Sequence, residues 1–277
     1  MIISVASGKG GTGKTTVATN LALSINNVQF IDCDVEEPNA HIFLKPKIEK
    51  ILSVNIPIPK VDEEKCNYCG KCAEICAFNA IAVLKEKVLV FSELCHGCGG
   101  CSLLCPEGAI TETGNKIGIV EIGKADGILF VDGKIDIGEP MSPPIIREVK
   151  KYINTDKTVI IDVPPGTSCP VIEAIKGSDF CILVTEPTPF GLYDLKLAVE
   201  LMEKMDIPFG VVINQSDIGD KKVEQYCIEL NIPILMKIPF DKDIAFEYSK
   251  GIPIVVKKIE KKQNFKNLYQ QIKELVK

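Results

Sequence analysis

The sequence predicts a doubly wound α/β fold with a mostly parallel sheet, into which a small α+β domain is inserted. Short, continuous apolar runs alternate with helical stretches along most of the 277 residues. Continuous runs of this kind are typical of parallel strands that helices cover on both faces. Between residues 57 and 113 the alternation stops and cysteines dominate. We therefore expect a main domain of residues 1–56 and 114–277 and an inserted domain of residues 57–113.

The composition excludes several classes of protein. The formal net charge is −5, and no cluster of positive charge suggests a nucleic-acid surface. No apolar run reaches the roughly 20 residues that a membrane-spanning helix needs. The first residues do not resemble a signal peptide. We therefore expect a cytoplasmic protein with no nucleic-acid partner.

Each predicted element of the main domain follows from an apolar run. "IISVAS" (2–7) is the first strand, and it leads through a glycine-rich loop into the helical stretch "TTVATNLALSI" (15–25). "VQFIDCD" (28–34) is the second strand. Residues 114–144 are glycine-rich and strand-like, and they return the chain to the main sheet after the insert. Further strands are predicted at 158–164, 179–187, 209–215 and 234–239, and helices near 191–205 and 219–230.

The loop "GKGGTGKTT" (8–16) is the first candidate functional site. From Gly8 to Thr15 it fits the pattern G-x4-G-K-[ST], which predicts a phosphate-binding loop when it follows a strand and opens a helix. Backbone N–H groups would hold the β-phosphate, Lys14 would contact the β- and γ-phosphates, and Thr15 would bind Mg²⁺. A glycine-rich turn that binds no nucleotide is the alternative. The expected nucleotide contacts in this loop are Gly8, Gly10, Gly11, Thr12, Gly13, Lys14, Thr15 and Thr16.

A second lysine, Lys9, makes the loop similar to the deviant phosphate loop of the MinD, ParA and Mrp ATPases and of the nitrogenase iron protein. The resemblance covers residues 1–50 and 114–277. It implies a P-loop NTPase domain that hydrolyses ATP with Mg²⁺. It also implies a nucleotide-sandwich dimer, formed with a second copy or with a related ATPase. In such a dimer Lys9 crosses the interface and supplies transition-state charge in trans.

Two acids match the same class of ATPases. Asp34, in "DCD" (32–34), resembles the water-orienting residue of switch I. Asp162, in "VIIDVPPG" (159–166), resembles the acid that holds the Mg²⁺ shell through water. For Asp32 a catalytic role and a local cap or salt bridge are both open. The resemblance thus makes Lys9, Lys14, Asp34 and Asp162 the catalytic candidates.

Two further segments resemble the purine-binding part of these ATPases. Asn214, in "VINQSD", would contact adenine, and Pro239, in "IPFD", would pack on the purine. Gln215 stands where the guanine-specific signature N-K-x-D has a lysine. The resemblance therefore implies ATP rather than GTP.

The inserted segment is an internal repeat of two cysteine motifs. Residues 66–81 and 95–110 align without gaps at an offset of 95 − 66 = 29 residues, and each half reads C-x2-C-x2-C-x3-C. Disulfides rarely persist in a reducing compartment, so metal ligation is favoured. In runs of this spacing the fourth cysteine ligates the other cluster. We predict one [4Fe–4S] cluster on Cys66, Cys69, Cys72 and Cys105, and a second on Cys95, Cys98, Cys101 and Cys76.

Structural zinc is the alternative for these cysteines, but it prefers two cysteine pairs with a longer spacer. The insert resembles a bacterial-type two-cluster ferredoxin over its whole length, although Ala77 replaces the usual proline after Cys76. The resemblance implies a ferredoxin-like domain whose clusters carry single electrons at low potential.

Cys169 lies seven residues after Asp162, since 169 − 162 = 7. In the nitrogenase iron protein a cysteine at this offset ligates a cluster that bridges two subunits. The segment that would supply the second ligand here, "GEPMSPP" (138–144), has no cysteine. Cys169 is therefore either a ligand of an incomplete bridge or a small packed residue.

The C-terminal stretch "NFKNLYQQIKELVK" (264–277) places its apolar residues on one face of a helix. Positioning ATPases of the resembled class bind membranes through a basic amphipathic tail. A last helix that packs on the sheet is the commoner arrangement, so we do not expect a membrane partner.

These features permit three functions. The leading hypothesis is an ATPase whose dimer switch controls low-potential electron transfer to a redox partner. The second is a carrier or assembly factor for iron–sulfur or heterometal clusters, similar to Mrp, with a metal-cluster partner protein. The third is a positioning switch similar to MinD.

Overall fold

The computed structural model describes residues 1–276. Lys277, the last residue of the predicted C-terminal helix, lies outside the described residues. The strands are β1 Ile2–Ala6, β2 Val28–Asp32, β3 Lys47–Val61, β4 Ile81–Leu84, β5 Lys87–Val90, β6 Ile110–Ala125, β7 Ile128–Ile135, β8 Thr158–Asp162, β9 Phe180–Thr185, β10 Phe209–Asn214 and β11 Ile234–Ile238. The α-helices are α1 Lys14–Ala22, α2 Ala40–Leu44, α3 Lys71–Ile75, α4 Gly100–Leu103, α5 Pro143–Lys150, α6 Cys169–Ile175, α7 Pro189–Lys204, α8 Lys222–Glu229, α9 Lys242–Ser249, α10 Ile254–Lys257 and α11 Ile259–Leu275.

Nine strands form one sheet in the order β11-β10-β9-β1-β8-β2-β7-β6-β3. All pairs from β11 to β7 are parallel, whereas β7–β6 and β6–β3 are antiparallel. The strands are apolar throughout because both faces are covered: Ile160 packs in the core on one face and Ile161 in the core on the other. The predicted doubly wound, mostly parallel sheet is thereby confirmed.

Two strands extend beyond the sheet and form an arm, which we define as residues 55–61 and 110–117. β6 pairs with β7 only from Gly118 onwards, whereas its pairing with β3 continues out to Val61 and Ile110. At about 3.4 Å per residue the arm extends roughly 25 Å past the last pair with β7. The arm begins beside Ile135, the last residue of β7, and β7 runs parallel to β2. The arm therefore projects from the edge at which the parallel strands end.

The arm carries a small lobe, residues 62–109, which contains α3, α4 and the antiparallel pair β4–β5. The eight cysteines of the repeat all lie in this lobe. β3 and β6 run continuously through residues 57 and 113, where the sequence predicts the domain boundaries. The lobe alone is shorter than the predicted insert, whereas the arm and the lobe together, residues 55–117, are slightly longer. The division into two domains remains a prediction.

The C-terminal helix α11 packs on the sheet. Phe265, Leu268 and Ile272 are buried in the core on the face that carries α1. The Tyr269 hydroxyl is hydrogen-bonded to the Thr158 hydroxyl at 2.7 Å. The apolar face that the sequence predicts is thus used for internal packing. In the part of the chain that the structure describes, no helix is long and apolar enough to cross a bilayer.

One buried acid of the sheet has few partners. Asp132, in β7, is fully buried, and neither of its carboxylate oxygens accepts a hydrogen bond from the described residues. The Lys134 ammonium is 3.7 Å away and donates instead to Glu121 at 2.6 Å. Burial raises the pKa of Asp132 from 3.8 to about 6, although Lys134 opposes the shift.

Asp132→Asn should therefore stabilise the protein at pH 8. A folded-state pKa above the unfolded value means that stability falls as the pH rises from about 4 through 6. The gain should be at most about 3 kcal/mol, at about 1.4 kcal/mol per pKa unit, and should vanish near pH 4. Thermal unfolding at both pH values measures it, with Asp126→Asn in the exposed β6–β7 turn as the control. A variant less stable than the wild type at pH 8 would show that Lys134 outweighs the burial.

Candidate functional site

A cavity of about 370 Å³ opens beside the loop that joins β1 to α1, at the carboxyl ends of the parallel strands. Its volume is typical of a small-molecule site. Residues that line it include Gly10, Gly11, Gly13, Lys14, Thr15, Thr16, Asp34, Glu37, Asn39, Pro165, Asn214, Gln215, Pro239, Phe240, Asp241, Ile244, Ala245 and Tyr248. The predicted nucleotide contacts Gly8 and Thr12 do not line it. The structure thus gathers eight of the ten predicted nucleotide-binding residues around one cavity.

Glycine is required at two positions of the loop. Gly13 precedes α1 in the left-handed region, with φ 95°, and a Cβ there would lie 2.6 Å from the Asn214 amide nitrogen. A Cβ on Gly8 would collide with the backbone carbonyl of Asp194 in α7. These glycines let the backbone pass closer to its neighbours than a residue with a side chain could. The N-terminus of α1 then favours an anion.

A hydroxyl and a carboxylate meet beneath the loop. The Thr15 hydroxyl donates to Asp162 Oδ2 at 2.6 Å. Asp162 is buried, and its other oxygen has no partner among the described residues. Burial raises the pKa of Asp162 to about 7, against the opposing effects of Thr15 and Lys14. Oxygen donors of this kind suit Mg²⁺ and its bound waters, as the sequence predicts.

The two acids after β2 have different surroundings. Asp34 lines the cavity, and burial raises its pKa to about 6 while Lys14 lowers it. Asp32 is fully buried and accepts hydrogen bonds from the backbone N–H groups of Asp34 and Ala40, at 3.0 and 3.1 Å. Asp32 therefore holds the loop between β2 and α2, which favours the capping role over the catalytic one.

Lys9 does not line the cavity of its own chain. Its ammonium lies 3.6 Å from Glu186 Oε2, and the other oxygen of Glu186 accepts a hydrogen bond from the Gln215 side chain at 3.2 Å. A position outside the cavity suits a residue that acts on another chain. The role in trans stays a prediction.

The base end of the cavity is fixed by hydrogen bonds. The Asn214 amide donates to the Thr12 carbonyl at 3.0 Å and accepts from the Gln215 backbone N–H at 3.0 Å. Asp217 accepts from the Phe240 backbone N–H at 2.6 Å. Asp217 is the last residue of the segment compared with N-K-x-D, and one oxygen of its carboxylate is thus occupied by a backbone N–H. The amide of Asn214 retains one N–H for a ligand.

Several cavity residues were not identified from the sequence. Glu37 and Asn39 follow Asp34 in the same loop, and three more, Ile244, Ala245 and Tyr248, lie in α9. Their spacing of i, i+1 and i+4 places them on one helical face. That spacing is the signal that could have identified them, but it is equally typical of core packing.

The lobe contains two further cavities, each lined by four cysteines. One is lined by Cys66, Cys69, Cys72 and Cys105. The other is lined by Cys95, Cys98, Cys101 and Cys76. The fourth cysteine of each run thus lies with the first three of the other run.

The donor groups of these cavities suit a cluster. The backbone N–H groups of Tyr68, Ala80 and Ala109 donate to the sulfurs of Cys66, Cys76 and Cys105 at 3.4, 3.2 and 3.3 Å. Such hydrogen bonds stabilise thiolate charge. Within residues 1–276, no three Cys, His, Asp or Glu side chains are placed to hold a single metal ion. Each cavity presents four cysteines, which is the number of thiolate ligands that the predicted [4Fe–4S] clusters require.

The two cysteine cavities lie at different distances from the sheet. The cavity with Cys105 also touches Val61 and Ile110, the last residue pair of the arm. The cavity with Cys76 touches Pro57 and Glu112, which are closer to the sheet along the arm. We call them the outer and the inner cysteine cavity.

The remaining cysteines divide into two groups. Cys169 is exposed and begins α6, on the segment that follows Asp162. It is therefore not the packed residue that one interpretation of the sequence expected. Cys33, Cys181 and Cys227 are buried, and burial raises the pKa of each thiol. These three belong to the core, as their apolar surroundings predict.

The chain is similar to known families and proteins over most of its length. The model of the CobQ/CobB/MinD/ParA nucleotide binding domain matches residues 3–254. An uncharacterised protein of Methanocaldococcus jannaschii is 36% identical over 91% of this chain and 90% of its own length. An iron–sulfur cluster carrier protein of the same organism is 25% identical over 99% of this chain and 84% of its own length.

The fold is similar to that of a solved ATPase. The septum site-determining protein MinD of Pyrococcus horikoshii, in complex with Mg-ADP, superposes with a TM-score of 0.60 at 22% identity. The match covers 98% of this chain and 95% of that protein. At this identity the similarity establishes the shared fold alone.

Proposed function

Because the chain belongs to the CobQ/CobB/MinD/ParA family of P-loop ATPase domains, we propose that it is an iron–sulfur ATPase that carries or assembles iron–sulfur clusters. One observation carries the proposal: the arm places two four-cysteine cavities beyond the same edge of the sheet at which the nucleotide cavity opens. The similarity to an iron–sulfur cluster carrier protein over nearly the whole chain supports it.

In this proposal the resident cofactors are ATP, Mg²⁺ and two [4Fe–4S] clusters. Lys14, Thr15 and Asp162 hold the nucleotide and its Mg²⁺, and Asp34 orients the attacking water. The outer and inner cysteine cavities each hold one cluster, which would supply one-electron chemistry at low potential. A transferred cluster would be additional cargo.

The loop between β2 and α2, which carries Asp34, contacts the end of β7, where the arm begins. Asp34 faces the cavity, and the carbonyl of the next residue, Val35, accepts a hydrogen bond from the Ile135 N–H at 3.0 Å. Glu36 accepts from the Ser142 hydroxyl at 3.0 Å. If nucleotide binding moves Asp34, the hydrogen bonds of its neighbours Val35 and Glu36 would therefore displace Ile135 and Ser142.

Asp136, which follows Ile135, connects the end of β7 to the arm. The Asp136 backbone N–H donates to the Ile117 carbonyl at 2.9 Å, and its carboxylate binds the Lys116 ammonium at 2.7 Å. Lys116 and Ile117 belong to the arm. These contacts support a coupling between nucleotide state and the direction in which the arm presents its cysteines.

Electron transfer is the second candidate function. The observation that favours it is the order of the two cysteine cavities, one near the sheet and one at the tip of the arm. Two redox centres at successive distances could pass electrons between a partner at the tip and the nucleotide-binding edge. The resemblance to MinD establishes the fold and does not by itself favour a positioning switch.

Iron titration and transfer distinguish the two candidates. Anaerobically reconstituted protein should bind iron above the 2 × 4 = 8 atoms of two resident clusters, and should pass the excess to an apo-ferredoxin acceptor only with MgATP. Cys169→Ser serves as a variant outside the lobe that leaves the eight resident atoms in place. A ceiling of eight irons together with no MgATP-dependent transfer would refute the carrier. A reduction potential that shifts with MgATP would then support electron transfer.

A further inference from the structure

One wall of the nucleotide cavity is formed by a helix that the phosphate-loop motif does not include. Ile244, Ala245 and Tyr248 of α9 line the cavity from one helical face. Phe246, on the opposite face, is exposed, with the Lys250 ammonium 3.8 Å from its ring centroid. The helix therefore directs three side chains towards the cavity, and only Tyr248 among them can donate a hydrogen bond.

Contacts with other parts of the chain restrain both ends of α9. At its start, Asp241 accepts a hydrogen bond from the Asp243 backbone N–H at 2.9 Å and binds the Lys258 ammonium at 2.6 Å. Just after its end, Gly251 has φ 67° and approaches Ile42 of α2 so closely that a Cβ would lie 2.8 Å from the Ile42 side chain. These contacts restrain the helix that carries Tyr248.

Tyr248 spans from α2 to the phosphate loop. Its ring lies against Phe43 of α2, with centroids 4.7 Å apart and planes inclined by 32°. Its hydroxyl lies close to the side chain of Thr16, which is in the first turn of α1 and also lines the cavity. Thr16 belongs to the phosphate end of the cavity, whereas Pro239 and Phe240 lie at the base end. α9 begins beside the base end, so Tyr248, near the other end of this helix, lies in the wall that leads from the base end towards the phosphate end.

We propose that Tyr248 positions the nucleotide. Its ring packs against the ribose, and its hydroxyl, together with Thr16, donates a hydrogen bond at the phosphate end of a purine nucleoside di- or triphosphate. A phenol suits this place because it combines an apolar face with one donor. Phe43 supports the ring from behind. The proposal rests on nucleotide binding, which the proposed function also requires.

The first test separates the hydroxyl from the ring. Tyr248→Phe should weaken ADP and ATP binding about two- to tenfold, the effect of one lost hydrogen bond, and raise the KM for ATP by a similar factor at unchanged kcat. Tyr248→Ala should weaken binding further. Tyr193→Phe, on the exposed side of α7 and outside the cavity lining, should bind like the wild type. Wild-type affinity in both Tyr248 variants would overturn the proposal.

The second test uses the absence of tryptophan from the chain. Tyr248→Trp introduces a single indole, whose emission should change when ADP is added. The same substitution at Phe246, on the opposite face of α9, should leave the emission unchanged. An emission at position 248 that ignores saturating ADP would contradict the contact. If the wild type itself bound no ADP, the proposed function would fail as well, and the two failures are thereby distinguished.

Discussion

Lys9→Ala should abolish ATP hydrolysis and leave nucleotide binding almost unchanged. Lys9 does not line the nucleotide cavity of its own chain, so its removal leaves the cavity intact. If its ammonium reaches the nucleotide of a second protomer, it stabilises charge only in the transition state. Removing one such donor typically costs about 100- to 1,000-fold in turnover. The measurements are ADP affinity by calorimetry and phosphate release at several protein concentrations.

Two variants serve as controls for Lys9→Ala. Lys14→Ala should lose binding and hydrolysis together, because Lys14 is buried in the cavity wall. Lys237→Ala, which removes an exposed lysine paired with Glu224, should change neither. Normal hydrolysis in Lys9→Ala would refute a role for this lysine.

Mixing two inactive variants tests whether the lysine acts in trans. Lys9→Ala retains Asp162, and Asp162→Ala retains Lys9. In a mixed dimer the Asp162 variant can supply its lysine to the intact catalytic site of the other protomer. Turnover should therefore reappear on mixing. If the mixture stayed as inactive as its components, Lys9 would act within its own chain.

The parallel sheet was predictable because its signal is local. β8 and β9 are buried on both faces, so every residue in them is apolar except at the strand ends, and a short window of sequence reveals this. The end of β2 was less predictable. Asp32 turns the chain out of the sheet by accepting two backbone hydrogen bonds, so the strand ends before the predicted residues 33 and 34.

The arm was not predictable because its pairing is not local. β3 and β6 are joined across a lobe of 48 residues (109 − 62 + 1), and nothing in either strand shows where β7 ceases to pair with β6. The predicted boundaries, residues 57 and 113, therefore fall within β3 and β6, and the division into two domains stays a prediction. The position of α9 beside the nucleotide cavity was not predicted for a similar reason, because Tyr248 and Thr16 are far apart in the chain.

The residues of the candidate site also differ in whether a local sequence pattern identifies them. The phosphate loop and the cysteine runs are compact motifs whose spacing carries the chemistry, so their residues could be named from the sequence. The contact between Thr15 and Asp162 depends on two adjacent parallel strands, and the sequence suggested it only through the resemblance to known ATPases. Tyr248 belongs to no motif, and only the fold brings it to the cavity.

Cys76→Ser should remove the cluster of the inner cysteine cavity, whose other three ligands belong to the second cysteine run. It should spare the cluster of the outer cavity, which is held by the other cysteines of its own run and by Cys105. Cys76 lies in the inner cysteine cavity with Cys95, Cys98 and Cys101. A serine oxygen is a poor replacement for a thiolate on iron, so we expect about four of eight irons to be lost after anaerobic reconstitution. Iron content and the EPR spectrum of the reduced protein measure the loss.

The identity of the lost cluster follows from two reference variants. Cys98→Ser removes a ligand that only the inner cavity contains, and Cys69→Ser removes one that only the outer cavity contains. The remaining EPR signal of Cys76→Ser should match that of Cys98→Ser. Cys227→Ser, at a buried position of α8 in the main part of the chain, should retain both clusters. A match with Cys69→Ser would mean that each run holds its own cluster. The interleaving of the two runs in the lobe would then be a feature of packing and not of ligation.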